Sequence, residues 1–153
     1  MVVKDCMTKD PITVYPQTTF TQMARLFYEH HFDAFPVVDE EQHLLGIVSR
    51  TDLLKVFIPE YFDLLDDLSF MRDFGRLEID EESTKMVESL FLVDDLMTTK
   101  VITVEEDTTL FKAIALMMKN RIRCIPVVRE DRLVGIISRT DILKAILIKR
   151  KIL

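Results

Sequence analysis

The chain has 153 residues, with 20 Lys and Arg against 26 Asp and Glu, for a formal net charge of −6. That acidic balance, with no clustered basic face, argues against a nucleic-acid footprint, though not against one small anion held in a local basic pocket. At 48% hydrophobic and 30% charged residues the composition is globular, enough for one ordinary core or two small, closely packed halves.

From the N-terminus, Val3 to Thr8 has room for no more than a helical turn. Asp10-Pro11 then turns the chain into a brief extended segment, Ile12-Thr13-Val14. From Thr19 the period changes: Phe20, Met23, Ala24 and Phe27 fall on one face of a helix capped by Thr18 or Thr19 and ending near His30 or His31. Ala34 to Val38 is a short apolar strand, and Pro36 within it marks an irregular or edge strand. A polar hairpin connection, Asp39 to His43, leads to a returning strand, Leu44 to Val48, and Leu53, Leu54, Val56 and Phe57 begin a second helix. The order is strand, helix, strand, strand, helix.

The same order returns 90 residues later. Met97-Thr98 answers Met7-Thr8, Ile102-Thr103-Val104 answers Ile12-Thr13-Val14, and Ile125-Pro126-Val127-Val128 answers Phe35-Pro36-Val37-Val38. The second helix face is Leu110, Ala113, Ile114 and Met117. The second hairpin is one residue shorter, so Gly135 matches Gly46 at an offset of 89. The expected division is a first repeat over 1–57, a helical insertion or linker over 58–92, and a second repeat over 93–153. In the insertion, a helix-like stretch from Pro59-Glu60 carries Tyr61, Phe62, Leu65, Leu68 and Met71 and stops at Gly75. A second stretch follows Asp80-Glu81-Glu82 with Met86, Val87 and Leu90. The acidic residues there suit a solvated face. Phe57, Tyr61, Phe62, Phe70 and Phe74 predict packing against another surface.

The most informative repetition is polar. Ser49-Arg50-Thr51-Asp52 and Ser138-Arg139-Thr140-Asp141 each stand where a strand hands over to a helix. Ser-x-x-Asp at that place is close to a capping box, in which the Ser oxygen takes a backbone N–H and the acidic side chain reaches back. Capping needs neither the Arg nor the Thr, and it does not need the same four residues twice. A hydroxyl, a guanidinium and a carboxylate beside unsatisfied helix N–H groups suit a nucleotide, with Asp accepting from ribose hydroxyls and Arg facing phosphate. Both roles are expected together.

The Met-Thr openings, the Pro-Val-Val strands and the Gly-x-x-Ser-x-x-Asp signatures (Gly46 to Asp52, Gly135 to Asp141), each present twice and in order, resemble CBS domains. The pair resembles the tandem (Bateman) module of the regulatory region of cystathionine β-synthase, also found in the gamma subunit of AMP-activated protein kinase and in inosine monophosphate dehydrogenase. The resemblance implies an α/β (α+β) fold of two βαββα repeats about a pseudo-twofold axis. It further implies a regulatory module binding AMP, ADP, ATP or S-adenosylmethionine in clefts between the repeats, and a homodimer. Position by position, it implies that Asp52 and Asp141 hold ribose, and that Ser49, Arg50, Thr51, Ser138, Arg139 and Thr140 lie toward ribose and phosphate. Adenine would be gripped by Ile12-Thr13 and Ile102-Thr103, and by the residues about the prolines: Ala34, Phe35 and Pro36; Cys124, Ile125 and Pro126. A basic residue three before the Pro reaches phosphate in some relatives; Arg123 matches it, whereas the first repeat has Asp33. On that basis Arg123 would face the Asp141 site and Asp33 the Asp52 site.

No catalytic group, catalytic cofactor or metal site is expected. His30-His31 ends a helix and His43 lies in a turn, without zinc-like spacing. Cys124 before Ile125-Pro126 suits a small residue lining the cleft rather than a nucleophile. The three glycines, Gly46, Gly75 and Gly135, form no phosphate loop. No apolar run approaches a membrane span and the N-terminus lacks a signal-peptide layout. With only Cys6 and Cys124, a reducing, cytoplasmic location is expected, without membrane or nucleic-acid partners. The helices after the signatures carry more apolar surface than one core face uses (Ile142, Leu143, Ile146, Leu147 and Ile148 in the second), which predicts a symmetric homodimer. The competing reading is a structural or partner-binding dimer with no physiological ligand.

Overall fold

A computed structural model describes residues 1–58, 66–69 and 80–151. After a 3-10 turn at Val3–Asp5, the elements are β1 (Thr8–Lys9), α1 (Phe20–Glu29), β2 (Ala34–Val38), β3 (Leu44–Ser49), α2 (Arg50–Lys55), α3 (Glu81–Leu90), α4 (Val93–Leu96), α5 (Leu110–Lys119), β4 (Cys124–Arg129), β5 (Arg132–Ser138) and α6 (Arg139–Lys149). The caps are those the sequence supplies. Thr19 accepts from the Gln22 N–H at 3.2 Å while the Gln22 side chain accepts from the Thr19 N–H at 3.0 Å, so α1 starts on a reciprocal cap. Asp80 accepts from the Ser83 N–H at 2.7 Å and opens α3. The aromatic residues Tyr61, Phe62, Phe70 and Phe74 lie outside the described residues; of the helix expected from Pro59 to Gly75 only residues 66–69 are described, and no α-helix runs through them.

The extended segments Ile12–Val14 and Ile102–Val104 shrink to one parallel bridge each, Val14 to Val37 and Val104 to Val127. The Val14 N–H donates to the Pro36 carbonyl at 3.0 Å and the Val38 N–H returns to the Val14 carbonyl at 3.0 Å. Pro36 has no N–H of its own to extend that pairing. A register shift between Val37 and Val38, and between Val127 and Val128, bends each hairpin just beyond.

Each half is completed by the opening segment of the other. β1 pairs antiparallel with β5, Thr8 opposite Ile136 and Lys9 opposite Gly135. Ile47 and Thr98 exchange both backbone hydrogen bonds, at 3.0 and 2.9 Å. The cores follow the same exchange. Val3 and Met7 are buried among Ile125, Val127, Ile137 and Ile142 of the second half. Val93 is buried with Met23, Phe27, Phe35 and Val48 of the first half, and Leu96 and Met97 pack against that cluster. Equivalent residues also meet each other: His43 bridges Arg132 at one end of the interface and Arg123 pairs with Asp33 at the other. Contacts between a residue and its own counterpart lie on the pseudo-twofold axis, so these two pairs mark where it runs.

That crossing explains the signature glycines. A Cβ on Gly46 would stand 2.7 Å from Met97 Sδ and 2.9 Å from the Thr98 carbonyl oxygen; one on Gly135 would stand 2.8 Å from Met7 Sδ and 2.9 Å from the Thr8 oxygen. The methionine can swing aside, but the Thr98 oxygen is held by the Ile47 N–H. Gly46→Ala is therefore expected to destabilise the protein by about 1–3 kcal/mol, the usual cost of overpacking. Urea denaturation measures it, and an unchanged midpoint would contradict the close approach.

Candidate functional site: two composite clefts between the repeats

Ser49 caps α2 and Asp52 reaches back, as a capping box requires. The Asp52 N–H donates to Ser49 Oγ at 3.2 Å, and Asp52 Oδ2 accepts from the Ser49 N–H at 2.7 Å and from Ser49 Oγ at 2.8 Å. Asp141 repeats this on Ser138 at 2.8 and 2.6 Å, with the Asp141 N–H to Ser138 Oγ at 3.2 Å. Capping converges on one oxygen of each carboxylate, so about half of its accepting capacity is used. Since α2 is only six residues long, its dipole adds little to anion binding. Side chains set the charge of the site.

Each signature opens onto a cleft whose other wall belongs to the opposite half. The first cleft, about 430 Å³, joins Ser49, Arg50, Thr51 and Asp52 to Thr98, Lys100 and Ile102 of the second opening, and to Arg121, Arg123, Cys124 and Pro126. The second, about 340 Å³, joins Ser138, Thr140 and Asp141 to Asp10, Pro11 and Ile12 of the first opening, and to His31, Phe32, Ala34, Phe35 and Pro36. Asp33, Ala34 and Cys124 line both clefts. This geometry reverses the expected side of Arg123, whereas Asp33 borders the Asp52 cleft as expected and the Asp141 cleft as well. Arg123 lines the cleft of Asp52, not of Asp141, because the strand it precedes faces the opposite half's signature. Rather than facing separate sites, Arg123 donates to Asp33 at 3.2 Å. With those side chains 70% and 41% exposed, the pair is weak and easily exchanged for another partner.

Four residues named from the sequence line neither cleft. Ile125 is fully buried in the core of the second half, since successive strand residues face opposite sides. Thr13 lines a separate surface groove with Gln17, Thr21 and Arg25, and Thr103 is exposed beside its buried neighbour Val104. Arg139 is turned away to donate to the Ile122 carbonyl at 3.0 Å. Its counterpart Arg50 reaches the His30 carbonyl at 3.5 Å, its guanidinium carbon 5.9 Å from the Phe27 ring centroid, and does line the first cleft.

Lys100 and Arg121 escaped the sequence reading because they sit outside the repeated motif. Their signal was in the numbering: each stands 90 positions after a residue of another type, Asp10 and His31. With them the first cleft has, among the described residues, four cations, Arg50, Lys100, Arg121 and Arg123, against the carboxylates Asp33 and Asp52. Among the described residues the second has the carboxylates Asp10, Asp33 and Asp141 and neither Lys nor Arg.

Burial, with the Asp33 and Asp141 carboxylates nearby, pushes the Cys124 thiol from 9.0 up to about 11. At pH 8 about one molecule in a thousand carries the thiolate. Native protein is therefore expected to react with a thiol-directed disulfide reagent at Cys124 only after unfolding; labelling as fast as a free thiol's at pH 8 would contradict this. Above about pH 9 the unfolded chain ionises and the native one does not, so this group's contribution to stability falls as pH rises through 11.

A model of the CBS domain family matches residues 3–59 and 93–148, and the chain belongs to that family as a tandem pair. It is 31% identical over 157 residues to the uncharacterized protein MJ1426 of Methanocaldococcus jannaschii, covering 96% of this chain and 92% of that one. Several other curated relatives are longer, and the chain spans between 22% and 65% of their length. Among solved structures it is similar to CBSX2 of Arabidopsis thaliana in complex with AMP, at TM-score 0.73 and 27% identity, with 97% and 98% of the two chains covered. It is also similar to the CBS domain pair of the protein MJ0100 in complex with 5′-methylthioadenosine and S-adenosyl-L-methionine, at TM-score 0.69 and 25% identity, with 97% and 98% covered. Among the described residues no helix is long and apolar enough to cross a membrane.

Proposed function

We propose that the chain is a regulatory module, without catalysis of its own, that binds adenosyl ligands in the two clefts and passes occupancy to a partner in the cytoplasm. The observation that carries this is the first cleft. A carboxylate suited to ribose hydroxyls, Asp52, faces Lys100, Arg121 and Arg123 across a cavity of about 430 Å³, within the usual size range for small-molecule sites. The likeness to pairs solved with AMP and with S-adenosylmethionine supports the ligand class. AMP is assigned to the first cleft, its ribose on Asp52 and its phosphate on the arginines. A ligand bound only by the folded state raises apparent stability by about 2.7 kcal/mol at one hundred times its dissociation constant. A thermal-shift panel of AMP, ADP, ATP, adenosine and guanosine monophosphate tests the reading. A shift with adenine nucleotides and none with the guanine nucleotide is expected; no shift with any of them would leave a partner-binding module.

Occupancy has a route outward through assembly. Leu54, Phe57 and Ile58 after the first signature are exposed, as are Leu143, Ile146 and Ile148 of α6. Apolar helix surface of that extent suits a symmetric homodimer. Light scattering at micromolar concentration is expected to report twice the 17.9 kDa of one chain, and a pure monomer would contradict it.

A further inference from the structure

The clefts are built from equivalent positions of one repeated unit, yet at three of them a Lys or Arg of the first is exchanged for an acidic residue or a histidine in the second. Lys100, Arg121 and Arg123 in the first stand where the second has Asp10, His31 and Asp33, each 90 positions earlier. A fourth exchange alters the wall: Ile122 in the first cleft corresponds to Phe32 in the second. The Phe32 ring is stacked on His30 at 5.4 Å with an interplanar angle of 9°. The capping carboxylate is the same in both clefts, Asp52 in one and Asp141 in the other. What differs is the charge presented to the remainder of the ligand.

Resting on the reading that the clefts hold adenosyl ligands, we infer that they select opposite charge classes. The first takes an adenosyl ligand bearing phosphate; the second takes one without phosphate, whose 5′ substituent is neutral or cationic. A phosphate in the second cleft meets Asp10 and Asp33 with neither Lys nor Arg among the described residues to neutralise it. The one cation of its signature, Arg139, is engaged with the Ile122 carbonyl outside the cleft. Each carboxylate about 4 Å from a phosphate charge in water costs about five-fold in affinity, reduced by salt when the groups are exposed. The same carboxylates favour a positive substituent, and the Phe32 ring offers a face on which a cation or an apolar group packs. One chain therefore reads two ligands of different charge at the same time.

Calorimetric titration of the full chain with AMP and with 5′-methylthioadenosine tests this. Asp52→Asn and Asp141→Asn silence one cleft each while an Asn remains to cap the helix. With the first cleft silenced by Asp52→Asn, AMP affinity is expected to fall at least ten-fold while 5′-methylthioadenosine still binds; with the second silenced by Asp141→Asn, AMP affinity should be retained. In the Asp52→Asn background, adding Asp10→Asn and Asp33→Asn should raise AMP affinity about ten-fold. Equal AMP affinity in the two silenced proteins, or no gain from the charge removal, overturns the selectivity while leaving the clefts as adenosyl sites. Failure of both ligands to bind the unmodified protein overturns the selectivity and the site reading together.

Discussion

Residues 1–57 expressed alone are expected to show no cooperative unfolding transition as a monomer, although they contain a full strand–helix–strand–strand–helix unit. The core of that unit is closed by residues the fragment lacks: Val93 is fully buried in it, with Leu96 and Met97 packed alongside. The fragment's own Val3 and Met7 belong to the other core and would be left in water. Each buried aliphatic side chain contributes about 1.5–3 kcal/mol. Losing several removes most or all of the 5–15 kcal/mol that holds a typical domain. β1 would also lose β5, its partner through Thr8 and Lys9. Any folded product should be a self-paired dimer, one copy's opening segment replacing residues 93–98 of the other. Circular dichroism through a urea titration, with sedimentation, decides it; a cooperative monomer would contradict the exchange of opening segments.

Replacing Arg121 and Arg123 together by Ala should weaken AMP binding about one hundred-fold and adenosine binding by less than three-fold. Hydrogen bonds to charged groups contribute about 1.5–3 kcal/mol each, and the lower figure applies here because Arg123 is largely exposed. Two such bonds at the low end correspond to the hundred-fold loss. Removing Arg123 also leaves Asp33 without its 3.2 Å partner and facing the phosphate, which adds to the loss. Adenosine has no phosphate to lose, so a parallel weakening of both ligands would mean that the arginines hold the cleft's shape rather than the charge. Arg139→Ala is the control, because its guanidinium lies outside both clefts and AMP affinity should not change.

The local features of this molecule were legible in the sequence and the crossings were not. Thr19, Ser49 and Ser138 cap the helices that their neighbours announce, because a cap is settled within four residues. The periodicity of Met23 and Phe27 places them in a core, again from local spacing. Whether an opening Met-Thr pairs with its own repeat or the other one is a different kind of question. Both arrangements satisfy the same pattern of apolar and polar residues, and long-range contacts such as those of Met7 with Gly135 and Met97 with Gly46 distinguish them. The side on which Arg123 lies shares that ambiguity, since its cleft is split between the halves and local spacing speaks for only one of them. Lys100 and Arg121 were missed for a related reason: a motif search rewards positions that agree between repeats, and the charge of this site lies where they disagree. Thr13 and Thr103 fell outside the clefts because a single bridge at Val14 or Val104 turns the residue before it outward.

The position of AMP decides which cleft reads phosphate, and a crystal structure of the protein with AMP measures that directly. The ribose hydroxyls are expected within hydrogen-bond distance of Asp52, and the phosphate beside Arg121, Arg123 and Lys100, with Arg123 drawn from Asp33 toward it. AMP seated on Asp141 with the first cleft empty, or phosphate pointing away from the three cations, would contradict it.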